Sequence, residues 1–438
     1  MTTRSTTRAW IGLAAGALIV AVASAIVAAP TFPEAPDPTP ATFANVGGGV
    51  RVTLVFGETI YVGGNFRVTQ NNVTRTNLAA FDLAGNLRPE FSATPNGRVL
   101  ALATDGASLF VGGEFTRLDL KQRLCAVDLV TGKVNRRFTA HVTGAMDVGA
   151  ATAVRALAVM RDASTQPPTV RLIVGGNFTG LDSNLSNRNG LGAVSVETGD
   201  LDGARFTEGV WGGFVDALLP TGDAVYVGGS FTSVQGRAGS LAALGFTGTL
   251  QTGMFRNGTQ PIIDLDIDEA TNRLFAASGG GNNRALALTA TGANRGQMLW
   301  RGPRVGGDVQ AIHHVNGAVY FGFHDGLFVE PDPYKLAALD PATGALLSDA
   351  DHAALPCSNG DAEVGNCWLP VMDESNGGQG FFGVWSLNHL TDPATGLPRL
   401  LVGGEFTQIG GVTNTRRFAM FRELPPPPPP PTSDAGGQ

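Results

Sequence analysis

Charge is scarce in this chain. Only 15% of its 438 residues are Asp, Glu, Lys or Arg, and the net charge of -7 comes without any basic run. A phosphate backbone needs clustered cations to displace its counterions, so nucleic acid is not an expected partner. Cysteine is nearly absent too: three residues are too few to staple a disulfide scaffold of this length. Beyond the N-terminal apolar run no segment repeats its apolar residues at helical spacing, which excludes a helical or α/β layer architecture. Gly-x-Ser-x-Gly, His-Glu-x-x-His, a phosphate-binding loop, a sialidase-type Asp box and a quinone-docking tryptophan repeat are all missing. No cofactor and no metal are therefore expected.

Glycine, by contrast, is abundant, with 60 residues, the composition of many short strands joined by tight turns. The glycines recur in a pattern. Val62-Gly63-Gly64-Asn65-Phe66 returns as Val111–Phe115, Val174–Phe178, Val227–Phe231 and Val402–Phe406, with weaker echoes at Ala277–Asn282 and Phe321–Gly326. Ahead of each copy stands an apolar run, opening at Val50, Val99, Val154, Val215, Ile263, Val309 and Val384. Behind it comes a Leu-Ala-Ala-Phe-Asp type run, as at Leu78–Asp82, Leu124–Asp128 and Leu336–Asp340. A turn such as Val130-Thr131-Gly132 then leads to a fourth segment ending near an aromatic (Phe91, Phe138, Phe206, Phe255). Four β-rich segments separated by Gly, Asn and Asp turns read as one antiparallel meander. Glycines at a strand end permit a bulge and the close approach of a neighbouring sheet, so the Gly-Gly pair reads as architecture and not as a ligand site.

Seven such meanders either stack as a solenoid or close as a ring. The ends favour closure. The last repeat stops at its third strand, and Thr42–Gly47 resembles the fourth-strand segment Phe91–Gly97, so the N-terminus supplies the missing strand and two open sheet edges disappear. The expected fold is all-β, a seven-bladed β-propeller of four-stranded antiparallel blades, ring closed by an N-terminal strand, over residues 42–424. Repeats five and six depart most from the pattern.

The flanks differ in kind. Residues 1–29 read as a signal peptide or N-terminal membrane anchor: Arg4 and Arg8 precede an apolar run, and Ala23-Ser24-Ala25 or Val27-Ala28-Ala29 offers a cleavage site. Uncleaved, residues 11–29 are long enough to hold the protein in a membrane. Residues 30–41 read as a linker, and 425–438 as a proline-rich tail whose Pro425–Pro431 favour an extended rod. A secreted, periplasmic or cell-surface location follows. It fits a disulfide between Cys357 and Cys367, with Cys125 left as a small buried hydrophobe.

Val-Gly-Gly-Asn-Phe, the Leu-Ala-Ala-Phe-Asp run and the Thr-Gly turn together resemble the delta-60-repeat β-propellers, over residues 42–422. The resemblance implies a secreted bacterial protein and a propeller. The extracellular part of the fungal cortical polarity markers carries a similar repeat. The Gly-Gly pair is also similar to kelch repeats, whose Tyr and Trp pattern is missing here. Neither family brings a catalytic motif to carry over.

In a propeller the first strand of each blade lines the central channel. Its second position reads Arg51, Leu100, Arg155, Asp216, Asp264, Gln310 and Trp385. The polar members and the Trp form a candidate ligand-binding ring for a sugar or peptide terminus, although inter-blade salt bridges account for the same residues. His314 and His389 close the first strands of adjacent blades and are a weak metal candidate. Asp264–Glu269 looks superficially like a calcium loop, but lacks the required glycine and alternates as a strand. Ser348–Gly380 is the largest insertion, and with Cys357, Cys367 and Trp368 reads as a stapled flap or a tolerated surface insertion. The leading functional expectation is a monomeric extracytoplasmic binding module for a polysaccharide, peptide or protein partner. Two alternatives stand beside it: a secreted lyase or glycosidase using Asp216 and Asp264, and a purely structural cell-surface module.

Overall fold

A computed structural model describes residues 32–44, 47–147, 149–182, 188–251, 260–281, 283–327, 334–348, 367–373 and 383–423. The predicted signal, the proline tract and Cys357 lie outside the described residues. Everything regular within them is antiparallel β-structure, with no α-helix.

Each repeat folds as predicted into a meander, here called units one to seven. Unit one runs Gly49–Phe56, Thr59–Gln70, Val73–Phe81, and unit two Val99–Thr104, Ser108–Gly113, Leu124–Asp128. Unit three is Ala153–Asp162, Thr169–Asn177, Leu191–Ser195, unit four Val215–Pro220, Val225–Gly229, Leu241–Leu244, and unit seven Gly383–Thr391, Pro398–Glu405, Phe418–Arg422. The degenerate repeats comply as well. Unit five is Ile262–Asp268, Arg273–Ser278, Arg284–Thr289 and unit six is Val309–Val315, Ala318–Phe323, Leu336–Leu339. Alternating Val, Leu and Ala suffice, because each sheet is covered on both faces by its neighbours.

The fourth segment departs from expectation. Among the described residues only unit five extends it as a strand of its own sheet, Met298–Arg301. Elsewhere a single bridge forms, as in Phe81↔Leu87, Val127↔Val134 and Leu339↔Leu346. The chain then curls: the amides of Phe91 and Phe138 bond back to Arg88 and Asn135, and both rings are fully buried. Burying the aromatic takes precedence over a second rung of the ladder.

The glycine pair explains how sheets meet. A Cβ on the first glycine would lie 2.6 Å from Val99 at Gly63, 2.5 Å from Val154 at Gly112 and 2.6 Å from Val215 at Gly175. In each case the obstacle is the opening residue of the next unit. At Gly403 of unit seven it is Val50 of unit one, at 2.4 Å. The phenylalanines that follow the pairs, Phe66, Phe115, Phe178, Phe231 and Phe406, are buried.

Residues 32–41, expected as a linker, pack onto unit seven. Phe32 is fully buried and its carbonyl accepts the Trp368 indole N–H at 2.9 Å. The Asp37 amide donates to the Met420 carbonyl at 2.9 Å. In other units the third residue of the Leu-Ala-Ala-Phe-Asp type run accepts the same bond from the fourth segment: Ala80 from Arg88, Ala126 from Asn135, Ala338 from Leu347. The segment on unit seven's edge therefore carries Asp37, and Thr42–Phe43, predicted for that place, pair with Val68 and Thr69 of unit one instead. Trp368 belongs to this core, edge-on to Tyr320 and Phe421, and not to an exposed flap.

Candidate ligand site at the inner strands

The second glycine of each pair positions the candidate site. At Gly64, Gly113, Gly176 and Gly229 a Cβ would stand 2.1–2.3 Å from a backbone oxygen of the first strand's opening residue or the residue just before it. That intimacy comes with a bulge: the pairing register skips one residue between Val50 and Val52, Val99 and Ala101, Val215 and Ala217, Val309 and Ala311, Val384 and Ser386. A bulged residue leaves the ladder and is re-aimed. The skipped residues are Arg51, Leu100, Asp216, Gln310 and Trp385, and in unit three Arg155.

Unit five is out by one. Ile262, not Ile263, takes the opening position and stands 2.7 Å from where a Gly228 Cβ would be. The skipped residue is therefore Ile263, and Asp264 lies one step further along. Consecutive isoleucines hid the register. Arg51, Arg155, Asp216, Asp264, Gln310 and Trp385 nonetheless all line one cavity of about 260 Å³.

The charges inside it are partly committed. Arg155 Nε meets Asp216 Oδ1 at 2.6 Å, with the Asp216 side chain 7% exposed. Burial raises the Asp216 carboxyl while Arg155 opposes that rise. Arg51 lies 4.0 Å above the Trp385 ring and 3.7 Å from Glu405. Burial, then repulsion from Arg98, push its guanidinium down to about 10. Arg51 Nε and the Trp385 indole N–H are buried with no hydrogen-bond partner. Asp264 serves the scaffold, accepting the Leu265 amide at 2.9 Å and the Ile312 amide at 3.0 Å. Burial lifts its carboxyl to about 7.

No family model matches the chain, and no curated relative does. Solved structures do. The chain is similar to the WD40 beta propeller domain of Doa1 (TM-score 0.46, 10% identity, 88% of this chain and 97% of that one). It is similar to the computationally designed Ika8 protein (0.45, 12%, 88% and 100%). It also resembles the extracellular domain of the one component system BT4673 from B. thetaiotaomicron (0.45, 10%), where it covers 89% of itself but 40% of that chain.

The histidines meet differently from expectation. His314 and His389 occupy equivalent places on neighbouring strands, so period-two alternation points them the same way round. His389 Nδ1 instead lies 2.8 Å from His313 Nε2, and His313 Nδ1 is 2.9 Å from Asp266. His314 turns toward unit five, its ring 5.5 Å from Phe275. Asp268, read as part of a calcium-like loop, ends the strand and accepts the Ala270 and Thr271 amides of a turn. Cys367 is disulfide-bonded and Cys125 is buried and free.

These groups set a pH dependence of opposite signs. Burial, and for His389 the neighbouring His313, lowers the folded-state pKa of His314 and His389 below 6.5. The unfolded chain then protonates first, and stability falls as pH drops below about 6.5. Asp264, raised to about 7 from 3.8, takes its proton earlier when folded, so its contribution is lost as pH rises between those values. Relative to Asp264→Asn, the wild type should lose up to about 4 kcal/mol between about pH 4 and pH 8. Denaturant titrations of both proteins at the two pH values check this. A constant difference would refute it.

Proposed function

We propose that the chain is a seven-bladed propeller of the delta-60 kind, closed by residues 32–41, and an extracytoplasmic binding module. Glycines packed on the opening Val or Ile of the following unit, from Gly63 against Val99 through Gly228 against Ile262 and Gly322 against Val384 to Gly403 against Val50, support closure, with Ala277 in that place in unit five. Export rests on the N-terminal apolar run, with the proline tract as a spacer. The ligand is a polar group, a sugar or a peptide terminus, held at the mouth of the channel.

The observation that carries this reading is the convergence of one re-aimed residue per first strand on a single cavity. Repeat proteins vary the positions that bind and keep the positions that pack. Here the openings are Val or Ile throughout, while the skipped residues are Arg, Leu, Arg, Asp, Ile, Gln and Trp. Unpartnered donors on Arg51 and Trp385 suit an acceptor-rich ligand. Arg51→Gln and Gln310→Ala, which leave the buried Arg155–Asp216 pair intact, separate binding from folding. On arrays of glycans and peptides, ligands of the wild type should weaken at least about tenfold in Arg51→Gln. Undiminished binding in both variants would remove the cavity as the site.

A further inference from the structure

A second depression lies outside the ring of skipped residues, over the seam between units three and four. It is a cleft of about 600 Å³ lined by Met146, Asp147, Asn189, Trp211 and Phe214, among others. Trp211 is 62% exposed, unusual for the largest apolar side chain. We propose that this cleft is a binding site for a neutral polysaccharide, with Trp211 as the stacking platform. The proposal goes beyond the cavity reading, since it concerns a second site built from different residues.

The platform is built and not merely left over. Val210, beside Trp211, is fully buried. Its amide donates to Asn189 at 2.8 Å, and the Trp211 carbonyl accepts the Thr232 amide at 2.8 Å. Trp211 also pairs with Ser233 in a short antiparallel ladder. Gly212 turns the chain at φ +71, and a Cβ there would stand 2.2 Å from the Thr232 hydroxyl. Only glycine lets the loop fold this tightly behind the indole. Across the cleft, the Met146 and Asp147 amides are both anchored on the buried Asn177 side chain, at 2.8 and 3.2 Å.

The lining chemistry selects the ligand. Pyranose rings present a face of axial C–H groups that packs on an indole, with hydroxyls around the rim that both donate and accept. Trp211, Met146 and Phe214 offer the apolar surface; Asp147, Asn189, Thr179 and Ser230 offer acceptors and donors at its edge. Among the described residues no Lys or Arg lines the cleft, and the one charge there is the carboxylate of Asp147. An anionic ligand would meet that carboxylate without compensation. Phe214 also continues the cleft toward the central cavity, since the Arg155 guanidinium sits 4.9 Å over its ring. A chain-like ligand lying across the seam would reach from one depression toward the other.

The test is titration of the full chain with neutral hexasaccharides (cello-, laminari-, manno- and malto-oligosaccharides), followed by tryptophan fluorescence and calorimetry. At least one should bind and perturb the emission. Trp211→Ala should abolish that binding, and Trp211→Tyr, which keeps a ring, should restore part of it. Asp147→Asn should weaken it several-fold. Unchanged melting temperatures show that folding is not at issue, as expected for an exposed side chain. Arg51→Gln separates the two readings: binding lost there but kept in Trp211→Ala overturns the cleft and upholds the cavity. Loss only in Trp211→Ala does the reverse. Failure of all four oligosaccharides to bind overturns the cleft outright.

Discussion

Gly64→Ala should destabilise the protein by about 3–5 kcal/mol, enough to unfold a marginal domain at physiological temperature. The new Cβ would stand 2.3 Å from the Gly49 carbonyl oxygen and 2.9 Å from the Val50 Cα. Both obstacles are backbone, so no rotamer change relieves them. The strand pair would have to part at the bulge that re-aims Arg51, and ligand binding should vanish with stability. Gly57→Ala is the control. It has φ +57 but nothing within 4 Å of its Cβ, so it carries only the left-handed backbone cost of about 1 kcal/mol. Urea denaturation of the two variants measures the difference. Comparable midpoints would show that the glycine pairs are not steric requirements.

Removal of residues 1–41 should be at least as damaging, for a different reason. The segment fills unit seven's open edge: Phe32 and Ala41 are buried, Asp37 donates to Met420, and the Asp37 carboxylate meets Arg422 at 3.1 Å. Without it the Trp368 indole N–H loses its acceptor and the sheet edge is bared. Phe32→Ala alone should cost about 3–5 kcal/mol. The full truncation should give a chain that aggregates or melts early, whereas truncation to residue 30 should be silent. Scanning calorimetry and light scattering distinguish the three. A truncated protein as stable as the full chain would mean that the N-terminal segment closes nothing.

The meanders were legible because their signals are local. Alternation of apolar residues, Gly and Asn turns and the Leu-Ala-Ala-Phe-Asp run each act within a few residues, and the meanders formed even where repeat five has Ala277-Ser278 in place of the glycine pair and repeat six keeps only Gly322. Arg51, Arg155, Asp216, Gln310 and Trp385 were legible for the same reason, since their place is counted from a neighbouring valine. Asp264 was misread by one residue where Ile262 and Ile263 stand together, because two isoleucines fit the opening position equally well. Trp211 and its cleft carried no repeat signal at all. An exposed tryptophan between units looks like any other until the seam beneath it is seen.

What the sequence by itself determined is the repeat and the backbone chemistry inside it. Only glycine tolerates a carbonyl oxygen where its Cβ would be, and that demand is written residue by residue. What only the tertiary structure decided is which side chains meet between units. His389 faces His313 and not its counterpart His314, Asp264 caps the free amide of Ile312, and Asp37 rather than Thr42–Phe43 lies on the last edge. Those pairings depend on the offset and rotation of one sheet against the next. Side-chain alternation sets the face a residue looks toward, but the partner on that face is chosen by packing over the whole assembly of units.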